Sequence, residues 1–164
     1  MSKVPFRRLA PAALALCALA VASAADAASQ RTFVASYGSD ASAACSLALP
    51  CRAFAAAIAQ TNPGGEVIVL DSAGYGPVVI NKAVSIVAPP GVYAGVSVFS
   101  GTGIVVNPAS GKVTLRGLTI NGQGGNRGIV VTTAGKVSIE NCVISGVGSN
   151  GIDVNSNSVN TSVY

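Results

Sequence analysis

The stretch KVSIENCVISG, residues 136–146, is a near copy of KVTLRGLTING, residues 112–122, at an offset of 24 residues. In register, Val113 matches Val137, Leu115 matches Ile139, Leu118 matches Cys142 and Ile120 matches Ile144. The polar positions match as well: Lys112 with Lys136, Thr114 with Ser138, Arg116 with Glu140 and Asn121 with Ser145. Apolar and polar residues alternate, as a strand with one buried face requires. The alternation slips by one residue at Gly117 and, in the copy, at the equivalent Asn141. Glycine and asparagine accept left-handed backbone angles most readily. A bend at both positions keeps the next apolar residues pointing inward.

A second element recurs between these copies. GIVVN at Gly103, GIVVT at Gly128 and GIDVN at Gly151 follow one another at spacings of 25 and 23. Looser versions are EVIVLD (residues 66–71) and PVVINKAVSIV (residues 77–87), in which Val84 and Ile86 resemble Val113 and Leu115. The unit is therefore several short strands separated by bends, with a period near 24 residues. Such a period signals stacked supersecondary units. The leucine and asparagine pattern of leucine-rich repeats is missing, and period-two alternation excludes helical repeats. What remains is a coiled chain in which each strand pairs in parallel with its copy one turn later, about 4.8 Å away. This arrangement stacks Arg116 on Glu140 and Lys112 on Lys136, both pairs on the exterior.

Composition agrees with an all-β reading. Charged residues are only 10% of the chain, too few for long amphipathic helices with solvated faces. The first 28 residues read as a secretory signal peptide: Lys3, Arg7 and Arg8, an apolar run from Leu9 to Ala24, then small-residue cleavage sites. The run is mostly alanine and falls short of the roughly 20 residues that span a bilayer. The leader carries three of the ten basic residues and one of the six acidic ones. The remaining balance is no nucleic-acid footprint. Export places the chain in the periplasm, at the cell surface or in the medium, with no membrane span after processing. In an oxidising compartment Cys45 and Cys51, which bracket SLALP, are expected to form a local disulfide worth about 2 kcal/mol. Cys142 is left over, and its match to Leu118 makes it a small buried hydrophobe rather than a nucleophile.

These residues resemble the right-handed parallel β-helix proteins of the pectin lyase-like superfamily. Residues 31–76 strengthen the likeness, resembling the N-terminal module of secreted bacterial β-helix proteins: a short strand, a GSD turn, a helix and a GG-x-V-x-V-L strand. The resemblance implies that the helix CRAFAAAIAQT (residues 51–61) caps the solenoid, with Phe54 and Ile58 facing its interior. The expected organisation is a signal peptide over residues 1–28, a cap with disulfide loop and helix over 29–65, and coils over 66–164. Three to four coils are expected, incomplete at the C-terminus, where an uncapped end would favour self-association.

The superfamily hosts lyases, hydrolases, adhesins and non-enzymes, so function rests on side chains. The acids beyond the leader are Asp40, Glu66, Asp71, Glu140 and Asp153. Asp40 and Asp71 occupy turns, where capping of backbone amides is expected. Glu140 faces Arg116. Asp153 stacks on Val130 and Val105, which makes neither a catalytic pair nor a calcium cage. No catalytic residue, metal ligand or cofactor is therefore assigned; calcium would enter only with a lyase-like site. Candidate ligand contacts are Arg127 with Asp153, as an ion pair that reaches an anionic sugar, and Tyr75 and Tyr93, as rings in glycine- and proline-rich turns. Lys82 reads as a charge that protects a strand edge. The reading is an exported, non-catalytic module that contacts carbohydrate or serves as surface structure. The alternative is a fragment or relative of a polysaccharide lyase or hydrolase acting on uronic-acid glycans.

Overall fold

The computed structural model describes residues 29–155 and 161–164. The expected leader and Asn160 of the Asn160-Thr161-Ser162 sequon lie outside the described residues. The chain begins with β1 (Ser29–Val34) and α1 (Phe54–Gln60). Strands then follow in threes: β2 (Thr61–Val69), β3 (Ala73–Gly74) and β4 (Val78–Ile80); β5 (Val84–Val87), β6 (Ala94–Val98) and β7 (Thr102–Val106). The third and fourth turns are β8 (Lys112–Arg116), β9 (Leu118–Gly122) and β10 (Arg127–Val131), then β11 (Lys136–Glu140), β12 (Val143–Ser145) and β13 (Ile152–Val154). A last strand, β14 (Thr161–Val163), opens a further turn.

Each turn contributes one strand to each of three sheets. Sheet A has the order β1-β2-β5-β8-β11-β14, sheet B β12-β9-β6-β3 and sheet C β13-β10-β7-β4. Every pairing is parallel, so the fold is a β-helix-like solenoid. The register is the one the repeats imply: Lys112 pairs with Lys136, Leu115 with Ile139 and Arg116 with Glu140. Val84 and Ile86 pair with Val113 and Leu115 as the looser copy predicts.

Parallel stacking in register turns the interior into ladders of like side chains. Val67, Ile86, Leu115 and Ile139 form one ladder on sheet A. Val78, Ile104, Ile129 and Ile152 form another on sheet C, and Val96, Ile120 and Ile144 a third on sheet B. All but Ile144 and Ile152, both on edge strands, are buried. β-branched aliphatics suit these positions because their stiff side chains pack on a pleated surface without losing many rotamers.

The corner between sheets A and B is where the alternation slips. Gly117 has φ of 73° and Asn141 φ of 50°, so both occupy the left-handed region their sequence position requires. The ladder continues through the corner: the Gly117 N–H donates to the Glu140 carbonyl and the Ala88 N–H to the Arg116 carbonyl. A Cβ on Gly117 would lie 2.8 Å from the Ala88 carbonyl oxygen, so this corner excludes side chains twice over.

The cap differs from expectation at its helix. The predicted span was residues 51–61, but α1 starts only at Phe54. Cys51 is extended and bridges Val34, and the amides of Arg52 and Ala53 donate to Asp40 Oδ1 at 2.7 and 2.8 Å. The turn carboxylate thus does the N-capping that Ala53 itself cannot do. Phe54, Ala57 and Ile58 are buried against the first turn, with the Phe54 and Tyr75 rings 5.2 Å apart. Lys82 does not serve as an edge charge. Its Nζ donates to the carbonyls of Ala59 (3.3 Å) and Thr61 (2.9 Å), satisfying the end of the helix, where a cation is favoured.

Gly117→Ala should therefore destabilise the protein by about 1–2 kcal/mol through the left-handed penalty alone, more if Ala88 cannot shift. Asn141→Gly, at the same corner one turn on, should change stability by less than about 0.5 kcal/mol. Urea unfolding of the two variants measures both; equal costs would mean that the corners are not equivalent.

Candidate functional site

The charged side chains are engaged in structural contacts. Arg31 pairs with Glu66 at 2.9 Å, Arg116 with Glu140 at 2.6 Å, and Arg127 with Asp153 at 3.5 Å. Each pair spans two neighbouring strands, Arg31 on β1 with Glu66 on β2, for example. Glu140 also accepts from Ser138 Oγ, and the hydrogen bonds from Arg116 and Ser138 hold its carboxyl below the usual carboxylate range. With Asp40 capping α1 and Asp71 bound as described next, all five described carboxylates have partners. Among the described residues no three acidic, histidine or cysteine side chains group to hold a metal ion.

Asp71 is the centre of a polar knot that ties the cap to the first turn. The Ser36 amide donates to Asp71 Oδ1 at 2.8 Å, the Ser36 hydroxyl to Oδ2, and the Tyr75 hydroxyl to Oδ1 and to the Asp71 carbonyl. Burial pushes the Asp71 carboxyl up, but the Ser36 and Tyr75 hydrogen bonds outweigh it and leave the group below its ordinary value. For Tyr75 burial and the Asp71 carboxylate act together and push the phenol well above its ordinary range. The Arg52 guanidinium lies 5.7 Å from the centre of the Tyr75 ring and donates to the Gly74 carbonyl at 2.7 Å.

The four candidate contact residues are not brought together. Tyr75 is 1% exposed, and its ring is part of the core rather than a platform for a ligand. Arg127 opens β10 and Asp153 lies in β13, so that pair belongs to sheet C. Asp153 continues the outward column Val79, Val105, Val130, as its register implies. Tyr93 precedes β6 and belongs to the outer face of sheet B. Cys142 packs against the core at the same rung position as Leu118 but is only partly buried, because it adjoins the edge strand β12. Burial raises its thiol pKa, which suppresses the thiolate.

Sheet B carries the surface with ligand-like features. The Tyr93 ring lies over Gly95, where a Cβ would come within 2.6 Å of a ring carbon. The ring is still 47% exposed, and Phe99, one residue past β6, is 70% exposed. Next to them Ser97, Asn121 and Ser145 form an outward polar column in register. A groove of about 320 Å³ lined by Gly74, Gly76, Pro77, Ser97, Phe99 and Ser100 runs along this face. Phe99 was not singled out in the sequence. The signal was present, since Val96, Ser97 and Val98 alternate and place the next residue outward, but a single phenylalanine after a strand reads equally well as core.

Tyr75→Phe removes the hydroxyl that holds Asp71 and should cost about 1 kcal/mol at neutral pH. The knot also sets a pH window. Asp71, with a lowered pKa, contributes stability that is complete above its ordinary value of 3.8 and is lost as pH falls through its folded value. Tyr75, with a raised pKa, contributes stability that is complete below 10.0 and is lost as pH rises further. Urea midpoints across pH should show both limbs in the native protein and no alkaline loss from this group in Tyr75→Phe. No family model, curated protein or solved structure matches this chain.

Proposed function

We propose that the protein is an exported, non-catalytic β-solenoid module that contacts carbohydrate through the outer face of sheet B. The observation that carries this reading is the Tyr93 ring laid on Gly95 with Phe99 exposed on the same face, beside the column Ser97, Asn121, Ser145. An aromatic face stacks on the apolar C–H face of a sugar ring. Hydroxyl and amide groups repeated at the rung spacing supply donors and acceptors for sugar hydroxyls. Both parts are backed by rigid strands, so little ordering is needed to bind. The structural roles of Asp40, Glu66, Asp71, Glu140 and Asp153 support a binding rather than a hydrolytic role, because a carboxylate held in an ion pair or cap is not poised as an acid or base. The signal-like leader and the Cys45–Cys51 bond support an oxidising compartment outside the cytoplasm.

The test is a glycan array followed by calorimetry on the best ligand. Tyr93→Ala and Phe99→Ala should each weaken binding about three- to tenfold with unchanged unfolding midpoints. Arg127→Ala, on sheet C, should leave affinity unchanged. Incubation with polyuronates, with and without calcium, should release no product absorbing as an unsaturated uronide; such a product would replace this reading with a lyase.

A further inference from the structure

The N-terminal edge of sheet A is covered by the two halves of the cystine themselves. The inner edge of β1 pairs with β2, and its outer edge meets the segment that runs from Cys45 to Cys51. The Phe33 N–H donates to the Cys45 carbonyl at 2.8 Å, the Cys51 N–H to the Phe33 carbonyl at 2.9 Å, and the Ala35 N–H to the Cys51 carbonyl at 3.0 Å. From Phe33 to Ala35, then, each backbone hydrogen bond on this edge is made by Cys45 or Cys51. Neither SLALP residue between them takes the place of a paired strand, so the cover is two separate points joined through sulfur.

The two points are not equally relaxed. Cys45 has φ of 44°, in the left-handed region that a residue with a Cβ seldom adopts. The bond to Cys51, across a sequence separation of 6 and a Cα–Cα distance of 4.8 Å, holds Cys45 where its carbonyl reaches Phe33. Without the bond nothing covalent keeps that backbone in its unfavourable basin, and turning out of it withdraws the carbonyl from the edge. The exposed side chains of Leu47 and Leu49 contribute little burial to hold the loop in place.

We propose that the Cys45–Cys51 disulfide is the latch of an edge cover, and that opening it exposes β1 as a docking strand for a second copy of this chain. The latch opens by transfer of two electrons and two protons from a dithiol reductant: the S–S bond becomes two thiols and the reductant closes its own disulfide. Both cysteines are buried, so attack on sulfur follows a local opening of the loop. The freed edge then presents the Phe33 and Ala35 amides and the Phe33 carbonyl, the groups an unpaired parallel sheet offers to another strand. A second β1 in antiparallel orientation satisfies them reciprocally, because a two-fold contact uses the same edge on both partners. This inference is independent of the sheet B face.

Hydrogen exchange read by mass spectrometry on the full processed chain tests it, with and without dithiothreitol, with thiols counted by alkylation. In the reduced protein at low concentration, protection of the Phe33, Ala35 and Cys51 amides should fall about tenfold or more, while amides of β8 keep theirs. At higher concentration the reduced protein should form a dimer by light scattering, and the oxidised protein should not form it. The Cys45→Ser, Cys51→Ser double variant should behave like the reduced chain without reductant. Unchanged protection after full reduction would overturn the latch. Loss of protection in β8 as well would make the bond a staple of the whole solenoid and overturn it too. An opened edge that stays monomeric would overturn the role of the second copy.

Discussion

Each turn of the chain hydrogen-bonds to its own copy, and this parallel, in-register pairing is the constraint on which the other features depend. Once Lys112 pairs with Lys136 and Leu115 with Ile139, the neighbours of every residue on that face are fixed by its position in the turn. A valine or isoleucine that points inward meets another above and below, so the interior is dry and aliphatic without any long-range coincidence in the sequence. The same rule governs the corners. A residue that bends the chain in one turn must be answered by a residue able to bend in the next, as Gly117 is answered by Asn141. It governs the ends as well, since a stack of parallel strands leaves unpaired amides wherever it stops. At the N-terminal end those amides are met by Cys45, Cys51 and the helix above them.

The sparse charges follow from the same geometry. Outward residues of adjacent strands lie within reach of one another, so opposite charges in register become ion pairs, as on β1 with β2 and β8 with β11. Such exposed pairs add little stability, of order 0–1 kcal/mol each, but they engage the carboxylates that would otherwise be available for chemistry. The remaining acids, Asp40 and Asp71, are drawn to the join between cap and coils, where free backbone amides need an acceptor. What is left for recognition is the uncharged outer face of sheet B, where removing a side chain at Gly95 gives the Tyr93 ring a bed against the strand.

Much of the fold was legible because the repeats are self-referential. Two copies with matched apolar positions and a matched slip specify both register and bend, and the ion pair between Arg116 and Glu140 follows from the alignment alone. The cap has no internal copy to be compared with, and there the reading was less complete. The start of α1 moved because Cys51 is held by Val34, thirty-odd positions away from any helix pattern that propensity can sense. Lys82 was read from its place on a strand edge, whereas its partners are carbonyls at the end of a helix some twenty residues earlier. Tyr75 and Tyr93 looked alike in their glycine-rich turns. One turned inward to meet Phe54 and Asp71, and the other lies outside on Gly95.

By itself, then, the sequence determined the period, the parallel register, the inward face of each coil and the corner at Gly117 and Asn141. These are properties of adjacent turns, and local alternation is sufficient to encode them. The tertiary structure alone decided which aromatic rings are buried, which amides Asp40 and Asp71 satisfy, and that Cys45 and Cys51 lie across the edge of β1. Those contacts join segments that share no repeat, so their geometry arises only when the cap folds down onto the first turn and brings the segments together.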